Sequence, residues 1–382
     1  MFTVIGTISL AIWIYLAVAH GGFWQARKFM LPEGEGEPHA VRVAAVVPAR
    51  DEAVVVARCV TSLLSQKDVE LELFLVDDNS TDGTAEVARG AARACGAEAR
   101  LTVIQGSPLA AGWSGKLWAA QQGVAAATGR RPDFFLLTDA DIEHSGAELK
   151  ELVALAADER LDVASLMVRL YCTSVAERML IPAFVFFFFK LYPPRWISDA
   201  KRKVAGAAGG CILIRPEALE KAGGIEAVRR EVIDDCALAQ AVKQSGGRAW
   251  LGLAGETHSI RPYETFAEIG RMISRSAFNQ LQHSAALLAL SFMGMTLIYL
   301  APVLLLFSRS LPGAIMGVAA WLVMVACYLP LVRYYRLPAL WAFTLPAAAV
   351  FYMGATFHSA MKYWRGKGGE WKGRVQDPSR SA

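Results

Sequence analysis

Three apolar stretches near the C-terminus constrain this chain more than any other feature: Ala285 to Phe307, Leu311 to Val332, and Leu337 to about Ala360. Each is long enough to cross a hydrocarbon layer as a helix, which takes about 20 mostly apolar residues. A fourth run, Phe2 to His20, is broken only by small polar residues and at about 19 residues is just long enough. No Lys or Arg precedes it, whereas Arg27 and Lys28 follow. It therefore reads as an uncleaved anchor with its C-terminal end in the cytoplasm. Composition agrees, with 54% hydrophobic and 19% charged residues over 382 positions, too greasy for an all-soluble chain. The net charge of +4 is small and the basic residues gather beside apolar segments. That pattern points to a membrane surface and away from nucleic acid. The six cysteines are scattered with no CxxC pair, which argues against a zinc site or a disulfide framework and for a reducing compartment.

Two features complicate this membrane pattern. Ile181 to Lys190, with Phe184 to Phe189 at its centre, is too short to span and too apolar for a free loop. Followed by Arg195, Trp196 and Lys201-Arg202-Lys203, it reads as an interfacial segment with a basic rim, or else as a buried core helix. The charges also do not close on a simple topology. Arg333, Arg336 and the tail residues Lys362, Arg365, Lys367, Lys372 and Arg374 belong in the cytoplasm. Three spans after a cytoplasmic domain would put that tail outside, unless one stretch is re-entrant or interfacial.

Between the apolar ends the pattern changes to alternating strands and helices. Leu31 to His39 is a Pro-, Gly- and Glu-rich linker. Val41 to Val47, Leu71 to Val76, Leu101 to Gln105 and the run from Phe134 read as strands. Helices follow them to about Gln66, Cys95 and Thr128. Such alternation implies right-handed crossovers and a mostly parallel sheet. The Phe134 run ends in Thr138-Asp139-Ala140-Asp141, at the strand edge where open α/β sheets bind ligands. On a continuing strand Asp139 and Asp141 would point the same way and repel unless a cation or proton lay between them. A hard divalent cation shared with a diphosphate would relieve that; two aspartates capping the next helix is the plainer alternative.

Other strand edges carry polar chemistry on the same rim. Asp77 reads either as rim structure or as a ligand to a base or ribose, and Ser80, Thr81 and Asp82 mainly as a helix-capping turn. Lys116 follows the glycine-rich Gly106 to Gly115 loop. A cation at a helix start opposes the helix dipole, an objection that a bound anion would remove.

Val46-Val47-Pro48-Ala49-Arg50-Asp51-Glu52, Val76-Asp77-Asp78-Asn79-Ser80-Thr81-Asp82-Gly83-Thr84 and Thr138-Asp139-Ala140-Asp141, in that order, resemble the motifs of the family 2 inverting glycosyltransferases, which have the GT-A fold. The resemblance implies a nucleotide-sugar donor, with Pro48, Arg50, Glu52, Asp78, Lys116 and Asp139 around it. It also implies a Mg²⁺ or Mn²⁺ site at Asp139 and Asp141. Further on, Glu231-Val232-Ile233-Asp234-Asp235-Cys236 matches the family's catalytic segment and puts Asp235 at the base. An attacking hydroxyl needs such a group to take its proton. Asp234 beside it would raise the pKa of Asp235 by like-charge repulsion and is expected to cap the helix running to Ser245. The small-residue stretch at Gly209-Gly210, before the strand Ile212 to Ile214, matches the acceptor side. With Asp234, it is grouped there with Arg271 and Arg275, which read equally as a basic face on anionic lipid. The processive members' Gln-x-x-Arg-Trp motif is missing: Met272 and Ser276 stand where Gln and Trp would. That argues against a polymerase.

Trp196-Ile197-Ser198-Asp199, Ala207 to Cys211, Ile233 to Leu238 and Arg275 to Leu281 resemble the hopene-associated glycosyltransferase group. The expectation is a multi-pass enzyme of a bacterial inner membrane, its catalytic domain cytoplasmic, placing one sugar on a hopanoid-related lipid hydroxyl. A polyprenyl-phosphate sugar synthase and a catalytically inactive scaffold remain alternatives. The domains implied are an anchor over 1–30, a GT-A domain over 31–284 with its interfacial segment near 181–203, and membrane helices with a basic tail over 285–382.

Overall fold

A computed structural model describes residues 1–32, 41–366, 370–371 and 374–375. Most of the expected linker and the tail residues Lys367 and Lys372 lie outside the described residues. The chain forms two compact units. One contains Phe29–Tyr171 and Trp196–Pro262. The other gathers Met1–Lys28, Cys172–Arg195 and the chain from Tyr263 through the C-terminal helices. These units do not follow the expected boundaries, because 172–195 and 263–284 pack with the apolar helices.

The first unit is built on a sheet of eight strands: β1 Arg42–Ala49, β2 Glu70–Asp77, β3 Leu101–Gln105, β4 Phe134–Leu137, β5 Ile142–Glu143, β6 Val163–Arg169, β7 Ile212–Ile214 and β8 Ala249–Ser259. Their order is β3-β2-β1-β4-β7-β6-β8-β5. The first four are mutually parallel, as the alternating pattern requires, and β6 pairs parallel with β8. β7 is antiparallel to both its neighbours, and β5 to β8, so the sheet is mixed beyond β4.

β1 is buried from Val43 to Ala49, the signature of a strand covered on both faces. Pro48 cannot donate to a ladder. It is tolerated because β4 pairs only with Val43 to Val46 and has turned away by that point. The helix Gly115–Thr128 lies close on this strand at Gly123, where any Cβ would overlap the Val46 side chain. Leu63, Leu73, Leu75, Leu136 and Leu213, all at 0% exposure, lie in one continuous core.

The second unit contains three helices long and apolar enough to cross a membrane: Ala285–Phe307, Leu311–Tyr334 and Ala339–Trp364. Helix Phe2–Val18 is apolar but, at 17 residues, shorter than the run expected from the sequence. It packs on Leu311–Tyr334 through small residues. A Cβ on Gly6 would come within 2.8 Å of the Met316 Cβ. Close crossings of this kind depend on the absent side chain. Gly6→Leu should therefore lower the stability of this unit by about 1–3 kcal/mol, the usual cost of overpacking. Thermal unfolding in detergent would measure it, and an unchanged midpoint would rule out the crossing.

The phenylalanine run belongs to helix Val175–Leu191, opened by a capping box in which Ser174 and Glu177 satisfy each other's backbone N–H groups. Phe186 and Phe189 are each 1% exposed. Phe186 meets Tyr328 edge-on at 5.2 Å and Phe187 meets Tyr352 at 4.9 Å. Within this unit the run behaves as a packed helix, and its rings are spent on neighbouring apolar helices.

Candidate active site

At the C-terminal rim of β1 and β4 a cleft of about 420 Å³, including its open mouth, is lined by Pro48, Lys116, Asp139, Gly209, Asp234 and Asp235, among others. Lys116 is presented by the first turn of Gly115–Thr128, whose N-cap Ser114 accepts the Leu117 N–H at 3.4 Å. Its Nζ lies 2.8 Å from Asp139 Oδ1 and 3.5 Å from Asp234 Oδ2. These carboxylates answer the objection of a cation at a helix N-terminus and raise the lysine's pKa against the effect of burial.

Asp235 stands in the first turn of helix Asp234–Gln244. Its Oδ2 accepts the Gly209 N–H at 2.8 Å and its Oδ1 accepts the Cys236 N–H at 2.7 Å. Burial, then the neighbouring Asp234 charge, push its pKa up to about 6, with Lys116 and the two N–H donors pulling the other way. Gly209 lies directly against both groups: a Cβ there would sit 3.4 Å from Asp235 Oδ2 and from Lys116 Nζ, in contact with each. Asp234 does not cap the helix as expected. The N-cap is Ile233, with no side-chain cap, because the Asp234 carboxylate faces Lys116.

Asp139 and Asp141 do not lie on a continuing strand. β4 ends at Leu137, and the chain turns before β5 begins at Ile142. The two carboxylates consequently meet different cations. Asp141 Oδ2 accepts from Arg261 Nε at 2.7 Å, and the same guanidinium donates through Nη2 to Glu52. Arg50 Nη1 donates to the Asp78 carbonyl at 2.6 Å and lies 3.6 Å from its carboxylate, which holds Asp78 at 1% exposure.

Asp77 is rim structure, its Oδ1 accepting the Ser80 N–H at 3.0 Å. Asp82 serves the next helix as expected, its Oδ1 accepting the N–H of Thr84, the first helical residue, at 3.1 Å, while Ser80 and Thr81 brace the preceding loop and Gly83 takes the N-cap position. Ser80 Oγ accepts the Asp51 N–H at 3.0 Å, Asp51 Oδ1 accepts the Thr81 N–H at 2.9 Å, and Asp82 Oδ2 accepts the Ala53 N–H at 2.9 Å. Asp51 at φ 50° and Asn79 at φ 56° take the left-handed backbone that Asp and Asn tolerate.

The structure thus brings Pro48, Lys116, Asp139, Gly209, Asp234 and Asp235 to one cleft, with Glu52 and Asp141 joined through Arg261. Gly210 supports them from behind. Its carbonyl accepts the Thr138 hydroxyl at 2.7 Å, and Thr138 Oγ1 lies 2.9 Å from His144 Nε2. The Thr138 proton is committed to Gly210, so His144 donates from Nε2. Burial lowers its pKa to about 4, which keeps it neutral at pH 7. Arg271 and Arg275 belong to the other unit, on helix Phe266–Ser274 and at its C-cap. Arg261 and His144 were not foreseen. β8 ends at the rim in Glu256-Thr257-His258-Ser259 after an apolar start, the pattern that marked β4, and it could have led to Arg261.

The eight-stranded α/β unit with acidic loops at its strand ends has the GT-A architecture. Residues 44–223 match the family model described as glycosyl transferase family 2. That segment is a family 2 glycosyltransferase domain, and the chain is a glycosyltransferase. Its fold is similar to that of the mannosyltransferase PcManGT from Pyrobaculum calidifontis, solved with GDP-Man and Mn²⁺: 17% identity, TM-score 0.57, covering 94% of this chain and 99% of that one. Two other solved structures are more remote. Glucosyl-3-phosphoglycerate synthase from Mycobacterium tuberculosis has 16% identity and a TM-score of 0.42, over 69% of this chain and 82% of that one. TarS from S. aureus has 14% identity and a TM-score of 0.38, over 87% of this chain and 95% of that one.

Proposed function

We propose that this glycosyltransferase moves one sugar from a nucleotide-sugar donor to the hydroxyl of a lipid, inverting the anomeric centre. The observation that carries this is Asp235, a half-buried carboxylate on the cleft wall with its pKa raised to about 6. A base of that strength is still ionised at pH 7 yet avid for a proton. Asp235 takes the proton of the acceptor hydroxyl as its oxygen attacks the anomeric carbon. The bond to the nucleoside diphosphate breaks on the opposite face, and Lys116 stands beside the charge that develops.

A divalent cation fits the residues present. Of the carboxylates here, Asp139 and Asp234 in the cleft share Lys116, and Glu52 and Asp141 beside it share Arg261, so carboxylates outnumber these two cations. An anionic diphosphate would not enter so negative a rim unaided. Asp139 and Asp141 would hold the metal as hard oxygen ligands, with substrate oxygens and water completing the shell. When bound, it supplies charge neutralisation at the leaving diphosphate.

The apolar helices support a lipid acceptor, and the resemblance to the hopene-associated group favours a hopanoid-related one. The charges after Phe2–Val18 favour a catalytic unit in the cytoplasm, and the same resemblance favours a bacterial inner membrane. Arg271 and Arg275 are assigned to the acceptor side on the same resemblance. The test compares lipid extracts of a deletion strain and its parent, with nucleoside diphosphate release by the purified enzyme on the lipid that accumulates. A glycosylated lipid should disappear from the deletion strain. An unchanged lipid profile together with no nucleoside diphosphate release would refute the reading.

The pH profile offers a second check. Activity requires ionised Asp235, so kcat/KM should fall as pH drops through about 6. Asp234 raises that pKa and Lys116 lowers it. Asp234→Asn should therefore move the acid limb down, and Lys116→Met should move it up. An acid limb unmoved in both variants would mean another group titrates.

A further inference from the structure

Arg261 is not among the residues that line the cleft of Lys116 and Asp235, yet the fold takes care to deliver it beside that cleft's acidic loops. Buried Glu148 accepts the backbone N–H groups of Gly255, Glu256 at 2.8 Å and Thr257 at 2.7 Å, which holds the far end of β8. Ser259 then pairs with Ile142, and the Ile260 N–H donates to the Asp141 carbonyl at 2.9 Å. The next residue is Arg261, whose Nε reaches Asp141 Oδ2 at 2.7 Å while Nη2 reaches Glu52. One guanidinium therefore closes on carboxylates from two different loops. Those carboxylates are well covered, with side-chain exposures of 12% for Glu52 and 17% for Asp141, whereas the guanidinium keeps 31%.

We propose that Arg261 is an internal counter-cation that competes with the divalent metal for Asp141, so that the metal binds weakly until an anionic diphosphate arrives. This rests on the reading that Asp139 and Asp141 take the metal. The Nε–H of Arg261 already occupies one oxygen of the Asp141 carboxylate, and a metal on that same carboxylate would bring two cations to a range at which they repel. A diphosphate changes the balance. It adds negative charge beside the metal and gives the guanidinium fork a second partner of matching geometry. Metal and diphosphate then each raise the affinity of the other, as linkage requires. The consequence is an enzyme that takes up its metal together with the donor.

The experiment measures Mn²⁺ alone, without nucleotide, binding to the full-length protein in detergent, by the EPR signal of free Mn²⁺. Arg261→Gln should tighten Mn²⁺ affinity by about tenfold, within the usual range of such couplings. Arg261→Lys keeps the charge but loses the fork and should fall between the two. Arg58→Gln removes a cation that pairs with Glu143 and leaves Asp141 alone, so it should change little. Equal affinity in wild type and Arg261→Gln, or an equal gain in Arg58→Gln, overturns the proposal and leaves the metal site standing. If adding Asp141→Asn to Arg261→Gln costs no Mn²⁺ affinity, the metal reading fails and the proposal with it. Should Arg261→Gln not fold, as judged by thermal unfolding in chelator, Arg261→Lys decides: affinity equal to wild type overturns the proposal.

Discussion

Asp235→Asn should cut turnover by about 10²–10⁴-fold, the usual contribution of a general base, while donor affinity changes little. The substitution keeps the size of the side chain, and its amide oxygen can keep one of the two N–H bonds that the carboxylate now accepts, from Gly209 at 2.8 Å or from Cys236 at 2.7 Å. The fold around it should survive, so the lost rate belongs to proton transfer. Asp234→Asn should cost far less. Its carboxylate serves Lys116 at 3.5 Å and has no helix-capping bond to lose. Single-turnover sugar transfer and nucleotide affinity, measured on both variants, separate the two residues. If Asp235→Asn turns over normally, the acceptor arrives already deprotonated, as in a polyprenyl-phosphate sugar synthase. If only Asp234→Asn is inactive, the base is one residue earlier in the chain.

The parallel half of the sheet was legible because β1, β2 and β4 are largely buried and end in polar loops, with β3 as the half-buried edge. Val43 to Ala49 and Phe134 to Leu137 are short apolar runs that stop abruptly, and nothing competes with that pattern. β6 and β8 were missed although Val163 to Val168 is also apolar. The expected repeat of strand and helix fails there, since β7 runs antiparallel between β4 and β6. The phenylalanine run shows a different limit. Periodicity cannot tell an interfacial helix from a packed one, and only the edge-on rings of Tyr328 and Tyr352 mark its neighbours.

The site was legible where one loop carries its own chemistry. Lys116 and Asp139 stand out at a helix start and a strand edge, Asp235 was placed by the resemblance to the family's catalytic segment, and the fold brings all three within one cleft. Partnerships between loops were not legible. Asp234 was assigned to a cap because Asp is common there, but the nearby Lys116 claims it. Ser80 was assigned to the helix that follows, yet it accepts the backbone N–H of Asp51, 29 residues earlier, and Asp82, which does accept the Thr84 N–H of that helix, also accepts the N–H of Ala53. Arg261, 120 positions from Asp141, carries no local signal of its partner.

Chelation should abolish turnover, and Mg²⁺ or Mn²⁺ should restore it. The expectation follows from the charge on the rim. Lys116 is shared between Asp139 and Asp234, and Arg261 between Asp141 and Glu52, so both cations are already engaged by protein carboxylates. Neither is free to neutralise a diphosphate without stranding a carboxylate, and a stranded pair of like charges is costly in a half-buried cleft. A divalent ion held by Asp139 and Asp141 supplies the missing charge, and with it the stabilisation of the leaving group. Asp141→Ala should accordingly lose activity while remaining folded. It removes a carboxylate that is 17% exposed at the end of a turn and leaves the backbone bond from Ile260 to the Asp141 carbonyl in place. The measurement is sugar transfer in excess EDTA, after metal is added back, and for Asp141→Ala, with thermal unfolding as the control for folding. Full activity in excess chelator would mean that Lys116 and Arg261 carry the leaving group unaided.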